Sequence, residues 1–380
     1  MNRAVIVAGK RTPIGKVGGI LKEFEPQDLA APLIQAIVKE TNLPMDEIDD
    51  VILGNTVGPG GNLARLSSLT AGLPVDIPGM TIDRQCGSGL EAVISACRLV
   101  QAGAGEIYLA GGVESVSLAP WKMKKAKSPY AAPTLFTRAR FSPDFIGDPD
   151  MGVAAENVAE KYQISRGEQD RFAFNSHQKA LKAQDAGRFE EEIVPLKGIE
   201  MDECPRRDTS LDKLGQLAPV FVADGSVTAG NSCPINDGAA LVLVMSEKKA
   251  ESLGIRGVMQ FVDSTVSGVD PNILGIGPVP AVQRLLSKVK MPIDQIDLIE
   301  FNEAFASQVL ASIQELQIDE NKVNIGGGAI ALGHPYGASG AILVTRLLHE
   351  MKNGHGSTGL ATLGIGGGMG LAAMFERMRT

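Results

Sequence analysis

Apolar positions along the chain switch repeatedly between short continuous runs and a period near 3.6. That is the pattern of buried strands alternating with amphipathic helices. The run RAVIVA (3–8) predicts a first strand, and residues 26–41 predict a helix whose inner stripe is Leu29, Leu33, Ile34 and Ile37. LPMDEIDDVILGN (43–55) gives a turn, a helix-capping cluster and a strand ending at Gly54, and 62–73 gives a further helix. A short run then ends at Asp83, a glycine-flanked turn carries Cys86, and Leu90, Val93, Ile94, Cys97 and Val100 mark a helix from about Ser88. EIYLAGGVES (106–115) is a strand running into a glycine turn. Strands and helices alternating at this spacing predict an α/β fold with a mostly parallel sheet.

The rhythm breaks near Ser117. Residues 118–150 are rich in Lys, Pro and aromatic residues without a period, and 165–187 form a helix opened by a Ser165/Glu168 capping box and stopped at Gly187. Loop-like sequence continues to about Gly230, and AALVLVM (239–245) returns to the buried-strand pattern. Three units are expected: a first α/β half made of 1–117 and 239–256, an inserted loop domain over 118–238, and a second α/β half over 257–380. The second half repeats the first. Pro44, Asp46, Ile48 and Asp49 recur 248 residues later as Pro292, Asp294, Ile296 and Asp297, and the same offset carries Cys86 onto His334 and Gly89 onto Gly337. One topology used twice predicts two similar units about a pseudo-twofold axis, with equivalent loops approaching each other. Cys86 and His334 would then meet, as a thiol nucleophile and its base must. A cysteine where a helix begins also has a lowered pKa, since the helix end favours the thiolate.

Charge and composition narrow the function. The chain is 44% apolar and 21% charged, ordinary for a soluble globular protein, and a net charge of −8 offers nothing to displace counterions from nucleic acid. No run approaches the ~20 apolar residues of a membrane span. The N-terminal run is too short for a signal-peptide core and reads as a strand. Cys86, Cys97, Cys204 and Cys233 show no paired spacing, so neither a disulfide framework nor a metal site is expected, and the cytoplasm is the expected compartment. Cys97 reads as buried filler. His177, His349 and His355 read as solvated, as does the basic run WKMKKAK (121–127). No G-x-G-x-x-G follows the first strand, which argues against an NAD-dependent dehydrogenase.

From residue 3 to about 377 the chain resembles the thiolases, acyl-CoA acetyltransferases of the condensing-enzyme superfamily. The matching stretches are DRQCGSGLEA (83–92), TAGNSCPINDGAA (228–240), GIGPVP (275–280), NEAFA (302–306), GGAIALGHPYGASGA (327–341) and GLATLGIGGGMG (359–370). The resemblance implies a five-layer α-β-α-β-α fold, coenzyme A as co-substrate with no tightly bound cofactor, acyl-CoA partners, a place in fatty acid metabolism, and a homodimer or homotetramer. It also implies that Cys86 is the acylated nucleophile and His334 the base. Asn302 would hold a water beside His334, although it could instead cap the helix that follows. The N–H groups of Cys86 and Gly366 would form a second oxyanion site, and Arg206, Cys233, Asp150 and Met151 would lie along coenzyme A. The sequence departs from the family in three places. Gly364 stands where the family's second cysteine handles the α-proton, Asp150 stands where a histidine precedes M-G-x-x-A-E-N, and Cys233 replaces a serine. Three readings follow: a working thiolase with Cys233 as substitute acid/base, an acyl transferase weak in carbon–carbon chemistry, or an acyl-CoA-binding relative without turnover.

Overall fold

A computed structural model of the chain describes residues 2–136 and 138–378. The first half supplies β1 (Ala4–Arg11), β2 (Gly15–Lys16), α1 (Pro26–Thr41), β3 (Asp50–Gly54), α2 (Leu63–Thr70), β4 (Gly79–Ile82), α3 (Ser88–Ala102) and β5 (Ile107–Glu114). Then come β6 (Lys122–Lys124), β7 (Thr134–Phe136), α4 (Met151–Lys161), α5 (Arg166–Asp185) and α6 (Leu211–Gly215), followed by β8 (Asn236–Ser246) and α7 (Glu247–Ser252). The second half holds β9 (Met259–Gly268), α8 (Pro278–Val289), β10 (Leu298–Phe301), α9 (Ala306–Leu316), α10 (Ala329–Leu332), α11 (Tyr336–Lys352), β11 (Thr358–Ile365) and β12 (Met369–Arg377). Local chemistry accounts for several boundaries. Pro26 opens α1 and Asn42, in the left-handed conformation, closes it, while Ser165 and Glu168 form the capping box of α5.

Strand order is β10-β11-β12-β9-β1-β8-β5-β3-β4. In the first half β3 and β5 pair parallel, while β5–β8 and β8–β1 pair antiparallel. The second half copies this with β10–β11 parallel and β11–β12 and β12–β9 antiparallel. The two copies touch at β1 and β9 through two residue pairs, Val5 with Gln260 and Ile6 with Met259. The sheet is therefore mixed rather than mostly parallel. Continuous apolar runs report burial on both faces and are silent about direction. The strand β12 returns through the tight turn at Gly367 and Gly368, both at positive φ, and a turn that short joins only antiparallel strands.

Side-chain alternation along β1 shows how the layers stack. Val5 and Val7 join the α1 core, whereas Ala4 and Ile6 face the core built on α3 and α11. Beyond the second sheet leaf, α8 and α9 form a third cluster with Ile299, Phe301 and Leu360. The layers run α1, sheet, α3 with α11, sheet, α8 with α9. The central pair is the tightest junction. A Cβ on Gly89 would stand 2.7 Å from the Gly337 carbonyl oxygen and 2.9 Å from the Ala341 nitrogen. Only glycine permits backbones that close, and these are the two glycines that the internal repeat equates. Residues 118–238 are tied to both halves by buried charge. Glu192 accepts from Arg11 of β1 (2.6 Å) and pairs with Arg346 of α11, and Arg11 also clasps Asp202 at 2.7 and 2.9 Å. The β6–β7 hairpin and its lysines are exposed, as the basic run suggested.

Candidate active site

Cys86 occupies the turn between β4 and α3. Asp83 Oδ1 accepts the Gln85 N–H (2.7 Å), and Gln85 is held at φ 48°, a left-handed conformation uncommon for a residue with a side chain. The Ser88 hydroxyl locks the turn further, accepting from the Arg84 N–H (2.8 Å) and donating to the Gln85 carbonyl (2.6 Å). The sulfur is half-buried, and the backbone N–H of Gly366 is near enough to favour the thiolate. Burial pushes the thiol up to about 11, with the charges of Glu114 and Asp83 adding to it. The lowering expected from the helix end is overridden, because desolvation of a thiolate inside the molecule outweighs what the nearby backbone N–H groups contribute.

His334 lies two residues before α11, the place in the second half that Cys86 holds in the first. Its backbone N–H donates to Asn236 Oδ1 (2.8 Å), and its ring packs edge-on against Tyr336 at 5.2 Å between centroids. The ring's Nδ1 is 2.6 Å from Ser339 Oγ, and that hydroxyl gives its only hydrogen to the Pro335 carbonyl at 2.9 Å. With that hydrogen on Pro335, Ser339 accepts from Nδ1–H, and the Nε2 lone pair turns toward the Asn302 amide. Nε2 faces Asn302 Nδ2 at 3.4 Å. Burial lowers the imidazole to about 4, so it is neutral at pH 7. At rest, then, Cys86 is a thiol and His334 a neutral imidazole.

Asn302 stands just past β10, its N–H donating to the Thr362 carbonyl at 3.0 Å. It does not cap α9; Phe305 holds that position without a side-chain cap. Several buried groups that the motifs did not single out fix this geometry. Glu303 accepts from Ser176 Oγ (2.6 Å), Asn324 Nδ2 (2.7 Å) and the Ile330 N–H (3.1 Å), joining α5 to the Asn302 loop. Glu114, at the end of a wholly buried strand, accepts the N–H groups of Thr56 (3.0 Å), Val57 (3.1 Å) and Gly337 (2.9 Å) and stitches the halves together. Burial raises its carboxyl to about 7. Asn236 donates to the Gly15 carbonyl (3.0 Å) and Cys204 Sγ (3.3 Å) while it holds His334. A carboxylate closing an unbroken apolar run is the signal that marks Glu114.

The remaining residues fall into two groups. Cys233 lies near Cys86: its N–H donates to the Ala304 carbonyl (3.0 Å), and burial raises its thiol strongly, with charge on Cys86 raising it more. Phe141, from the inserted segment, roofs the glycine turn; a Cβ on Gly366 would stand 3.0 Å from its ring. Arg206 and Asp150 lie on the exposed surface, and neither bonds Cys86, His334 or Asn302 among the described residues. Arg206 donates its backbone N–H to His177 Nδ1 (3.2 Å), Asp150 accepts from Arg138 Nε (3.1 Å), and Met151 begins α4. Two histidines expected in solvent are buried. His177 packs on the inner side of α5, where burial lowers it to about 4, and His349 donates from Nε2 to the Gly9 carbonyl (3.0 Å) within α11, buried from Gly337 to Met351. His355 is exposed and pairs with Glu350 at 2.6 Å. Among the described residues no cluster of His, Cys, Asp or Glu could hold a metal, and no helix is long and apolar enough to cross a membrane.

Comparison with known proteins adds an independent line. The family model described as "Thiolase, N-terminal domain" matches residues 4–248, and "Thiolase, C-terminal domain" matches 256–377. The protein named "Putative acetyl-CoA C-acetyltransferase VraB" of Staphylococcus epidermidis is 54% identical over 383 residues, covering 99% of both chains. A Bacillus subtilis protein, "Putative acetyl-CoA C-acetyltransferase YhfS", is 51% identical over 376 residues, 98% of this chain and 99% of its own. The crystal structure of the Bacillus anthracis acetyl-CoA acetyltransferase superposes with a TM-score of 0.94 at 41% identity, covering 100% of this chain and 99% of that one.

Proposed function

The chain belongs to the thiolase family, and from that premise we propose that it is an acetyl-CoA C-acetyltransferase working through an acyl-Cys86 intermediate. In the cleavage direction Cys86 passes its proton to Nε2 of His334 and attacks the ketone carbon of a 3-ketoacyl-CoA. The oxygen that becomes negative is received by the N–H groups of Cys86 and Gly366. The bond to the α-carbon breaks, acetyl-CoA leaves, and a second coenzyme A thiol collects the acyl group. Condensation of two acetyl-CoA runs the same path backwards. Asn302, beside Nε2, orients a water toward the thioester oxygen. Coenzyme A is co-substrate, and Arg206, Met151, Asp150 and Cys233 are the residues we read along its path. We read 118–238 as the cover of that path, and the assembly as a homodimer or homotetramer. The sheet edge at β4, flanked by exposed Leu66, Leu69 and Val75, favours self-association.

The observation that carries the proposal is His334, at the repeat position equivalent to Cys86, packed edge-on against Tyr336 and facing Asn302 through Nε2, while the charge of Cys86 is felt at that same Tyr336. Gly364, which we align with the family's second cysteine, favours a second reading: acyl transfer with little carbon–carbon chemistry. Loss of one general acid/base typically costs 10²–10⁴-fold, about 3–5 kcal/mol of barrier. Cys233, kept protonated by burial, is the substitute donor to weigh in the first reading, and Cys233→Ala tests it. Mass spectrometry after mixing with acetyl-CoA should find a 42-dalton adduct on the Cys86 peptide, about the mass of an acetyl group that a nucleophilic thiol acquires. An unmodified peptide sinks the acyl-enzyme. Cleavage of acetoacetyl-CoA that needs added coenzyme A separates the first reading from the second.

A further inference from the structure

The helix that follows the Asn302 loop brings one more polar group to this region than the Cys86–His334–Asn302 set uses. Gln308, in the first turn of α9, is 2% exposed, and its Nε2 has no hydrogen-bond partner among the described residues. A buried donor left unpaired is rare and costly, so its surroundings are informative. The side chain runs past Gly275, where a Cβ would stand 2.9 Å from Gln308 Cβ, and its amide ends at Gly364. A Cβ on Gly364 would lie 3.1 Å from that Nε2, 3.5 Å from the Gly275 carbonyl oxygen and 3.6 Å from Pro278 Cδ. A donor and an acceptor thus border one small opening, with a proline ring as its apolar wall. Gly364 is two residues before Gly366, so the opening lies ~7 Å along the strand from the N–H that points at Cys86.

Resting on the thiolase reading above, we infer that Gln308 is a positioning residue for the carbon–carbon step. Its Nε2–H and the Gly275 carbonyl hold one water in the opening at Gly364, and that water carries the proton of the α-carbon. Buried waters are held by two to four polar groups, and here the protein supplies two and the substrate the next. The protons balance with His334 alone as base. Cys86 gives its proton to His334 and its sulfur bonds to the ketone carbon. When the bond from that carbon to the α-carbon breaks, the electron pair stays on the α-carbon as the enolate of acetyl-CoA. The water protonates the α-carbon, and the imidazolium of His334 returns a proton to the hydroxide left behind. The hydrogen of the Cys86 thiol is thereby accounted for on the methyl group of acetyl-CoA.

Two rates measured on the full-length protein test this. Transfer of the acetyl group from acetyl-CoA to a second thiol, dephospho-coenzyme A, needs Cys86 and His334 but makes or breaks no carbon–hydrogen bond. Acetoacetyl-CoA cleavage, and exchange of acetyl-CoA methyl hydrogens for solvent deuterium, need the α-carbon proton. Gln308→Leu should lower cleavage and methyl exchange at least about 100-fold, within the range for one lost proton-transfer group, while thiol-to-thiol transfer changes less than about threefold. Gly364→Ala, whose Cβ fills the opening, should do the same and keeps the test alive should Gln308→Leu fold poorly. Adding Gly364→Cys to Gln308→Leu should restore cleavage, because a thiol then does the water's work. The inference is overturned if Gln308→Leu leaves cleavage unchanged, if it lowers both rates alike, or if Cys233→Ala alone separates them. A wild-type protein without acetyl transfer to any thiol refutes the enzyme reading itself, an outcome distinct from normal transfer with an indifferent Gln308.

Discussion

Replacing Ser339 by alanine should disable His334 without removing it. The hydroxyl accepts the Nδ1–H at 2.6 Å and donates to the Pro335 carbonyl at 2.9 Å. The Pro335 carbonyl keeps the backbone N–H groups of Ala338 and Ser339, both at 2.9 Å, so α11 loses little. The imidazole has no such reserve. A buried Nδ1–H without a partner costs about 1–3 kcal/mol, and the ring escapes that cost by moving its proton to Nε2, the nitrogen that must be empty to receive the Cys86 proton. The same 1–3 kcal/mol, as a population ratio, is a factor of about 5–150 against the working tautomer. Acetylation of Cys86, followed by rapid quench and mass spectrometry, should slow by that factor while thermal stability falls by about 1 kcal/mol or less. An acetylation rate within twofold of wild type would refute the tautomer argument, since geometry would then tolerate either proton position.

Other consequences are as direct. Glu192→Leu leaves the buried Arg11 and Arg346 without a shared carboxylate and should cost about 3–5 kcal/mol, read as a lower urea midpoint. Burial raises the Glu300 carboxyl to about 8 and that of Glu114 to about 7. The folded chain then holds more protons than the unfolded one between about 4.5 and 8, so this contribution to stability is full at the acid end and falls as pH rises through that window. Glu300→Gln should flatten the decline and gain most above pH 8; denaturation midpoints at pH 6 and 8.5 that shift equally would contradict the assignment. Gly89→Ala forces a Cβ to within 2.7 Å of the Gly337 carbonyl oxygen. It should cost at least about 1–3 kcal/mol and impair Cys86 acetylation more than a similarly destabilising change on α1, measured by melting and quench together.

What the chain disclosed by pattern and what it withheld follow different physics. The bounds of α1, the Ser165 cap of α5 and the meeting of Gly89 with Gly337 were legible because each rests on local periodicity, a capping pair or a repeat. Strand direction was not, since a doubly buried strand has the same composition either way. His349 read as solvated because Arg346, His349 and Glu350 look like a polar face, yet α11 is enclosed on every side and those groups satisfy Glu192, Gly9 and Arg188 instead. The thiol of Cys86 was misjudged for a related reason. A helix end is visible in sequence, but enclosure by Phe141, Gly366 and Glu114 comes from residues far along the chain. Asn236 and Glu303 lie inside recognised motifs and Glu114 ends a predicted strand, and only packing shows that they hold these loops in place.

The duplicated architecture also sets an order of events during synthesis. Cys86 leaves the ribosome about 250 residues ahead of His334, and β1 waits as long for its neighbours β8 and β9. Pairings this remote form late and slowly. Until α11 docks against α3, Cys86 is separated from His334 and from the backbone of Gly366, and the pocket they share is not yet formed. The site is thus assembled only once the second half has folded onto the first.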